Sequence, residues 1–206
     1  MRTIEVYADV CCPFTHAGLR RLVAHRDAVG GGPRLVVRAW PLELVNGVPL
    51  AADLVAHEAA ELRDQVSPDL FAGLDVDRFP ATSLPALALT AVAYRTSVEV
   101  GEAVALALRW ALFEEGRDVA EAEVLAAIAG AHGVALPDEA AHEQVVDDWE
   151  QGRARGVIGS PHFFVGAEGF FCPGLDIRKE GEHFAIRPDV TAFAEFVDRA
   201  FAAEAG

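Results

Sequence analysis

The sequence predicts an α/β fold in which a mixed sheet is interrupted by a large helical insertion. Three observations predict it. Residues 3–40 read strand, turn, helix, strand; residues 51–155 carry helical periodicity with no strand signal; and residues after 156 return to strands and close on an amphipathic helix. At 206 residues and 22.0 kDa, one core with an insertion is the economical expectation. The division expected is a core of residues 1–50 and 156–206 around a helical subdomain of residues 51–155.

The first strand is Thr3-Ile4-Glu5-Val6-Tyr7, and Asp9-Val10-Cys11-Cys12-Pro13 breaks it before a helical pattern from Phe14 to about Val29. Gly30-Gly31-Gly32-Pro33 ends that helix, and Arg34 to Trp40 forms a second strand. A connection this short between two strands fits a right-handed crossover into a parallel pair. Helices are expected near residues 53–66, 84–96, 98–115, 120–132 and 138–154, punctuated by Ser67-Pro68, Phe79-Pro80, Gly116, Gly133 and Pro137. His162-Phe163-Phe164-Val165 and Gly169-Phe170-Phe171-Cys172 then form a hairpin across Gly166-Ala167-Glu168. Val190, Phe193, Phe196, Val197 and Phe201 recur at helical spacing as a core stripe.

Composition excludes some functions. With 17 basic and 32 acidic side chains the formal charge is −15, and the short basic cluster Arg20, Arg21, His25 and Arg26 is no footprint for a polyanion, so nucleic acid is not an expected partner. No stretch approaches membrane-crossing length, and the opening strand leaves no room for a secretion leader; a cytoplasmic protein is expected. The oligomeric state is left open, a homodimer included.

Three cysteines, two of them adjacent, cannot staple a fold. Cys12, at a helix start, sits where unpaired N–H groups and the positive dipole end favour an anion, an argument for a thiolate near neutrality. Pro13 suits the first helical position. Thr15 brings a hydroxyl to the same edge and His16, four residues on, brings a ring that would tune the sulfur. Cys11 reads as the buried end of the first strand, and Cys172 as a buried strand end that could alternatively resolve a disulfide on Cys12. No metal is expected, since Cys11, Cys12, His16, His162 and Cys172 lack a paired chelate; His25, His57, His132, His142 and His183 read as solvated.

A proline at the start of an apolar strand, in Gly156-Val157-Ile158-Gly159-Ser160-Pro161-His162-Phe163-Phe164-Val165, is explained by a cis Ser160–Pro161 bond. This segment resembles the cis-proline stretch of DsbA-like proteins, and Asp9-Val10-Cys11-Cys12-Pro13-Phe14-Thr15-His16 resembles their Asp-x-x-Cys-Pro-aromatic-Cys site. Ala111-Leu112-Phe113-Glu114-Glu115-Gly116-Arg117-Asp118 is similar to the subgroup related to 2-hydroxychromene-2-carboxylate isomerase and kappa-class glutathione transferase. The resemblance implies a thioredoxin-like core with a helical insertion and a site of Cys12, Thr15, His16 and Pro161. Pro13, Phe14, Ser160 and His162 would meet a small thiol or a protein disulfide.

Thr15 stands where the family has its second cysteine, so the usual dithiol cycle cannot close there. The expected activity is single-cysteine thiol-disulfide exchange, with glutathione or mycothiol as co-substrate, or Cys172, resolving the mixed disulfide, and with no permanently bound cofactor. The alternatives are a thiol-dependent isomerase or transferase and a redox-inactive binding module.

Overall fold

In the computed structural model, which describes residues 3–181 and 183–202, strand β1 (Thr3–Ala8) leads through helix α1 (Pro13–Ala28) to strand β2 (Arg34–Ala39). The two strands pair in parallel, Ile4 beside Leu35 and Val6 beside Val37. A short α2 (Leu42–Asn46) follows, then α3 (Ala52–Gln65), a 3-10 turn at Val76–Arg78, α4 (Leu84–Thr96), α5 (Val98–Phe113), α6 (Ala122–His132) and α7 (Glu139–Ala154). Strands β3 (His162–Val165) and β4 (Glu168–Phe171) complete a sheet of order β2-β1-β3-β4, with β3 antiparallel to both its neighbours. The sheet is mixed because a crossover gives parallel strands and a hairpin antiparallel ones.

Local chemistry sets the helix starts. Pro13 occupies the first turn of α1, while Ser97, Asp138 and Asp189 cap α5, α7 and the terminal α8 (Val190–Phe201) by accepting from Val100, Ala141 and Ala192 N–H. Gly133, at φ 66°, ends α6. On one sheet face, Ile4, Val6 and Phe163 pack against Leu19 and Leu22 of α1 and Phe196 of α8. On the other, Tyr7, Trp40 and Phe164 lie under α7, where Gly152 admits the close approach: a β-carbon there would sit 2.7 Å from the Trp40 ring. Of the expected stripe on α8, Val190 is 67% exposed, because as the first helical residue it precedes the turn that faces the sheet.

One hairpin departs from the sequence expectation. β5 (Leu175–Glu180) and β6 (His183–Pro188) form a separate two-stranded sheet packed on α3. Its apolar alternation lasts only two positions in β5, Leu175 and Ile177, before charged residues take over, so the period-2 signal is too short to read. The preceding strand also ends one residue early, at Phe171, since Cys172 turns the chain with φ 44°.

The helices are tied to the sheet through the outer edge of β2. Leu35 N–H donates to Glu102 of α5 at 2.6 Å, Val37 N–H to the Tyr94 hydroxyl of α4 at 2.9 Å, and Ala39 N–H to Asp148 of α7 at 3.1 Å. Tyr94 in turn donates to Leu35 C=O at 2.9 Å, so one hydroxyl takes the place of a missing strand residue. Replacing Tyr94→Phe leaves a buried donor and a buried acceptor unpaired; unfolding in urea should show a loss of about 2 kcal/mol with an unchanged m-value.

Candidate active site

The turn between β1 and α1 is organised by one carboxylate. Asp9 is 1% exposed; its Oδ1 accepts Cys11 N–H at 2.8 Å, and its Oδ2 accepts Leu42 N–H at 2.6 Å and the Ser83 hydroxyl at 3.1 Å. Its backbone joins too: Asp9 N–H donates to Ser160 Oγ at 2.9 Å and Asp9 C=O accepts from Arg109 at 3.3 Å. Burial presses the carboxyl pKa up, against those hydrogen bonds and the Arg109 charge. With the turn held, Cys12 takes the N-cap position of α1 in extended geometry and Pro13 starts the helix.

Opposite lies the start of β3, where the Ser160–Pro161 peptide is cis. The Cys12 thiol donates to Ser160 C=O, with Sγ 3.2 Å away, and Thr15 Oγ1 is 2.8 Å from Ser160 Oγ. Pro161 abuts α1 at Gly18, where a β-carbon would lie 3.8 Å from the proline ring. Cys12, Thr15, Ser160 and Pro161, drawn from segments about 150 residues apart, therefore meet. Cys172 is close by: its N–H donates to Pro161 C=O at 3.0 Å, and a charge on Cys12 would push its own pKa up further. Phe14, half-buried, meets Phe184 of β6 edge-on at 6.4 Å.

The electrostatics correct the expectation of a thiolate. Cys12 is only 3% exposed, and burial raises its pKa. Hydrogen bonds from the Thr15 hydroxyl and backbone and from the Ser160 hydroxyl work the other way without overcoming it, and the negative charge of Glu58 adds to the rise. Losing water outweighs the helix end here. Burial also lifts Cys11 well above the ordinary range and pushes Cys172 up to about 12; all three are free thiols.

Two histidines stand elsewhere than expected. The His16 ring serves Glu114 at the end of α5, with Nε2 donating at 2.8 Å, and it stacks on Phe113 at 4.9 Å. Burial holds its pKa low, so the neutral ring is the donor. Glu114 also accepts Phe71 and Ala72 N–H, which fixes Phe71 at φ 66°. His162 lies on the α7 face of the sheet, its ring parallel to Phe164 at 4.7 Å and its Nδ1 accepting Ile158 N–H at 3.3 Å. Neighbouring strand residues alternate faces, and Phe163 takes the side toward α1.

Sequence reasoning quoted Asp9 and Glu114 inside motifs without giving them a role, and missed Arg109 and Glu58. An acid closing an apolar strand was a usable signal for Asp9; nothing local marks Glu58, whose carboxyl burial in α3 lifts to about 7. The basic cluster is engaged internally: Arg20 lies over Trp110, Arg21 donates to Gly174 C=O, and Arg26 pairs with Glu102. Among the described residues, the cysteines are not drawn into a chelate with His16 or His162.

The profile of DSBA-like thioredoxin domains matches residues 3–178. The chain belongs to that family. Its fold is accordingly a thioredoxin-like fold with a helical insertion. No curated protein matches the sequence. Among solved structures, this DSBA-like chain is similar to a 2-hydroxychromene-2-carboxylate isomerase, with 18% identity and TM-score 0.62 over 82% of this chain and 88% of that one. It is also similar to the cytosolic disulfide reductase DsbM from Pseudomonas aeruginosa, with 17% identity and TM-score 0.57 over 96% and 95%. A structure of that reductase with GSH matches at 18% identity and TM-score 0.59 over 82% and 88%. At these identities the likeness is one of fold. Among the described residues, no helix is long and apolar enough to cross a membrane.

Two predictions follow from burial. Alkylation of Cys12 by iodoacetamide, followed by peptide mapping, should keep accelerating above pH ~9.5, where an ordinary thiol of pKa about 8.5 has levelled off. For Glu58, a carboxyl raised from 4.5 to about 7 weakens the fold as pH climbs through that window. Glu58→Gln should therefore match the parent below pH 4.5 and be more stable above pH 7, by about 2 kcal/mol after allowance for partial solvation, in urea unfolding followed against pH.

Proposed function

We propose that this chain is a thiol-disulfide oxidoreductase that works through one active-site cysteine, Cys12. The observation that supports the reading best is the Cys12 sulfur at the N-terminus of α1, 3.2 Å from the carbonyl preceding Pro161. That carbonyl lies in the bend that leads into β3, beside the sulfur, where a disulfide-bearing segment can approach.

In the resting state the thiol is protonated, so a base is required. Solvent base takes that proton, and the charge of Glu58, a carboxyl lifted to about 7, bears on how readily it leaves. The Cys12 thiolate attacks one sulfur of a substrate disulfide; that S–S bond breaks, a mixed disulfide forms and the other sulfur leaves as a thiolate. A second thiolate then attacks the Cys12 sulfur and releases the reduced substrate. Cys172 could supply it from beside Pro161, or a small thiol of the glutathione or mycothiol type could.

A cleft of about 480 Å³ runs past Gly18, which abuts Pro161, and Pro173, which follows Cys172; Leu175 gives it an apolar wall, and the remaining donors of Arg20 and Arg21, with Asp69 beside them, give such a thiol polar partners. The DsbM structure with GSH agrees with a thiol partner, and that enzyme's cytosolic place agrees with a cytoplasmic one here. Thr15 would steady the sulfur through Ser160, and His16 would act as a positioning residue through Glu114.

One observation favours a second reading. A buried thiol of raised pKa is a hydrogen-bond donor, which is what an isomerase or transferase needs to steady the thiolate of a bound co-substrate. Serine keeps the donor and removes the nucleophile, so Cys12→Ser separates the two. In glutathione-dependent reduction of a small disulfide, we expect Cys12→Ser to lose activity by about two orders of magnitude or more. Thr15→Cys should make turnover less dependent on added thiol, because it restores an intramolecular resolving group. Full exchange activity in Cys12→Ser would refute the oxidoreductase reading.

A further inference from the structure

We infer that His57, Glu61 and His183 form a zinc site that clips the β5–β6 hairpin onto α3. His57 and Glu61 are four residues apart on one face of α3, and His183 opens β6 directly across from them. Glu61 Oε1 is 3.8 Å from His57 Nε2 and 3.1 Å from His183 Nδ1, and one ligand atom from each residue lies within 4.8 Å of the others. Tetrahedral zinc with bonds of about 2.0–2.1 Å holds its ligand atoms about 3.3 Å apart, so the three donors already stand within small rotations of that geometry.

The site is preorganised by bonds that do not involve the donors to the metal. One turn beyond Glu61, the Gln65 side chain pairs with β6 as a strand would: Nε2 donates to Phe184 C=O and Oε1 accepts Ile186 N–H, both at 2.9 Å. That pairing fixes the register that brings His183 opposite Glu61. Gln65 also donates to the second carboxylate oxygen of Glu61, the outer-shell role that orients a ligating carboxylate, and zinc would replace the hydrogen bond that Oε1 now shares with His183 Nδ1. Two imidazoles and one carboxylate suit zinc among abundant divalent ions, whereas calcium and magnesium prefer oxygen. His183 is 74% exposed, so water can take the fourth position.

The clip bears on the cysteine site by a short path. β6 carries Phe184 onto Phe14, two residues from Cys12, and α3 carries Glu58, whose charge acts on the sulfur. Fastening the hairpin to α3 holds this cover in place. The inference does not depend on the reaction that Cys12 performs.

The test uses the full chain, reduced and stripped of metal, titrated with zinc chloride against a chromophoric chelator. One equivalent should bind with a dissociation constant of about 1 μM or tighter, and His183→Ala should weaken it at least tenfold. Because Cys12 and Cys172 are competing zinc ligands, the titration is repeated in Cys12→Ser, where the stoichiometric site should persist. Zinc should also slow alkylation of Cys12 in the parent but not in His183→Ala. No binding at about 100 μM zinc, unchanged binding in His57→Ala/His183→Ala, or equal protection of Cys12 in His183→Ala would each overturn the proposal.

Discussion

A single buried carboxylate holds together the segments that make the site. Taking an acid out of water costs several kcal/mol unless its oxygens are filled, and the three donors on Asp9 come from the turn itself, the start of α2 and the segment before α4. Its backbone adds Ser160 and Arg109, from the β3 end and α5. Each of those elements must be in place for the carboxylate to be tolerated, and each is thereby placed. Cys12 is at the helix end opposite the cis-proline because Asp9 leaves the chain few other ways to turn.

The same burial governs the chemistry. A helix N-terminus favours an anion by roughly 1 kcal/mol, up to about 2 in partly buried settings, whereas desolvation of a fully covered thiol can move a pKa by several units. Here the second effect wins, and the sulfur rests as a hydrogen-bond donor. Glu58 shares that environment and rests near the middle of the physiological range instead, because a carboxyl starts its climb from 4.5. A thiol and a carboxyl, both moved upward by loss of water, thus end apart, the carboxyl at neutrality and the thiol above its ordinary range.

Legibility followed distance along the chain. Strands and helices with sustained periodicity were readable from their own residues, as were the N-cap cysteine, Pro13 and the proline that opens β3. What could not be read depended on partners far away: Glu114 for His16, at a separation of 98 residues, and Glu61 for His183, at 122. The face on which His162 sits was a one-residue question of sheet alternation that spacing alone leaves open. The protonation of Cys12 was missed for a different reason: a helix end is visible in a sequence, and the cover that seals it is not. The β5–β6 hairpin escaped because charged residues break its alternation and its support is a glutamine on another element.

The side chains along β2 have a consequence for how this protein meets others. With Glu102, Tyr94 and Asp148 filling the outward N–H groups of Leu35, Val37 and Ala39, that border of the sheet offers no template to an incoming strand. At the opposite border, β4, α8 meets side chains through Arg199–Glu168 and Phe170–Phe196, but among the described residues no helix side chain fills the outward backbone groups, and Phe171 is half in water. Any assembly that extends the sheet from one molecule into the next can therefore grow in one direction only, and a pair joined through β4 would have its ends already closed.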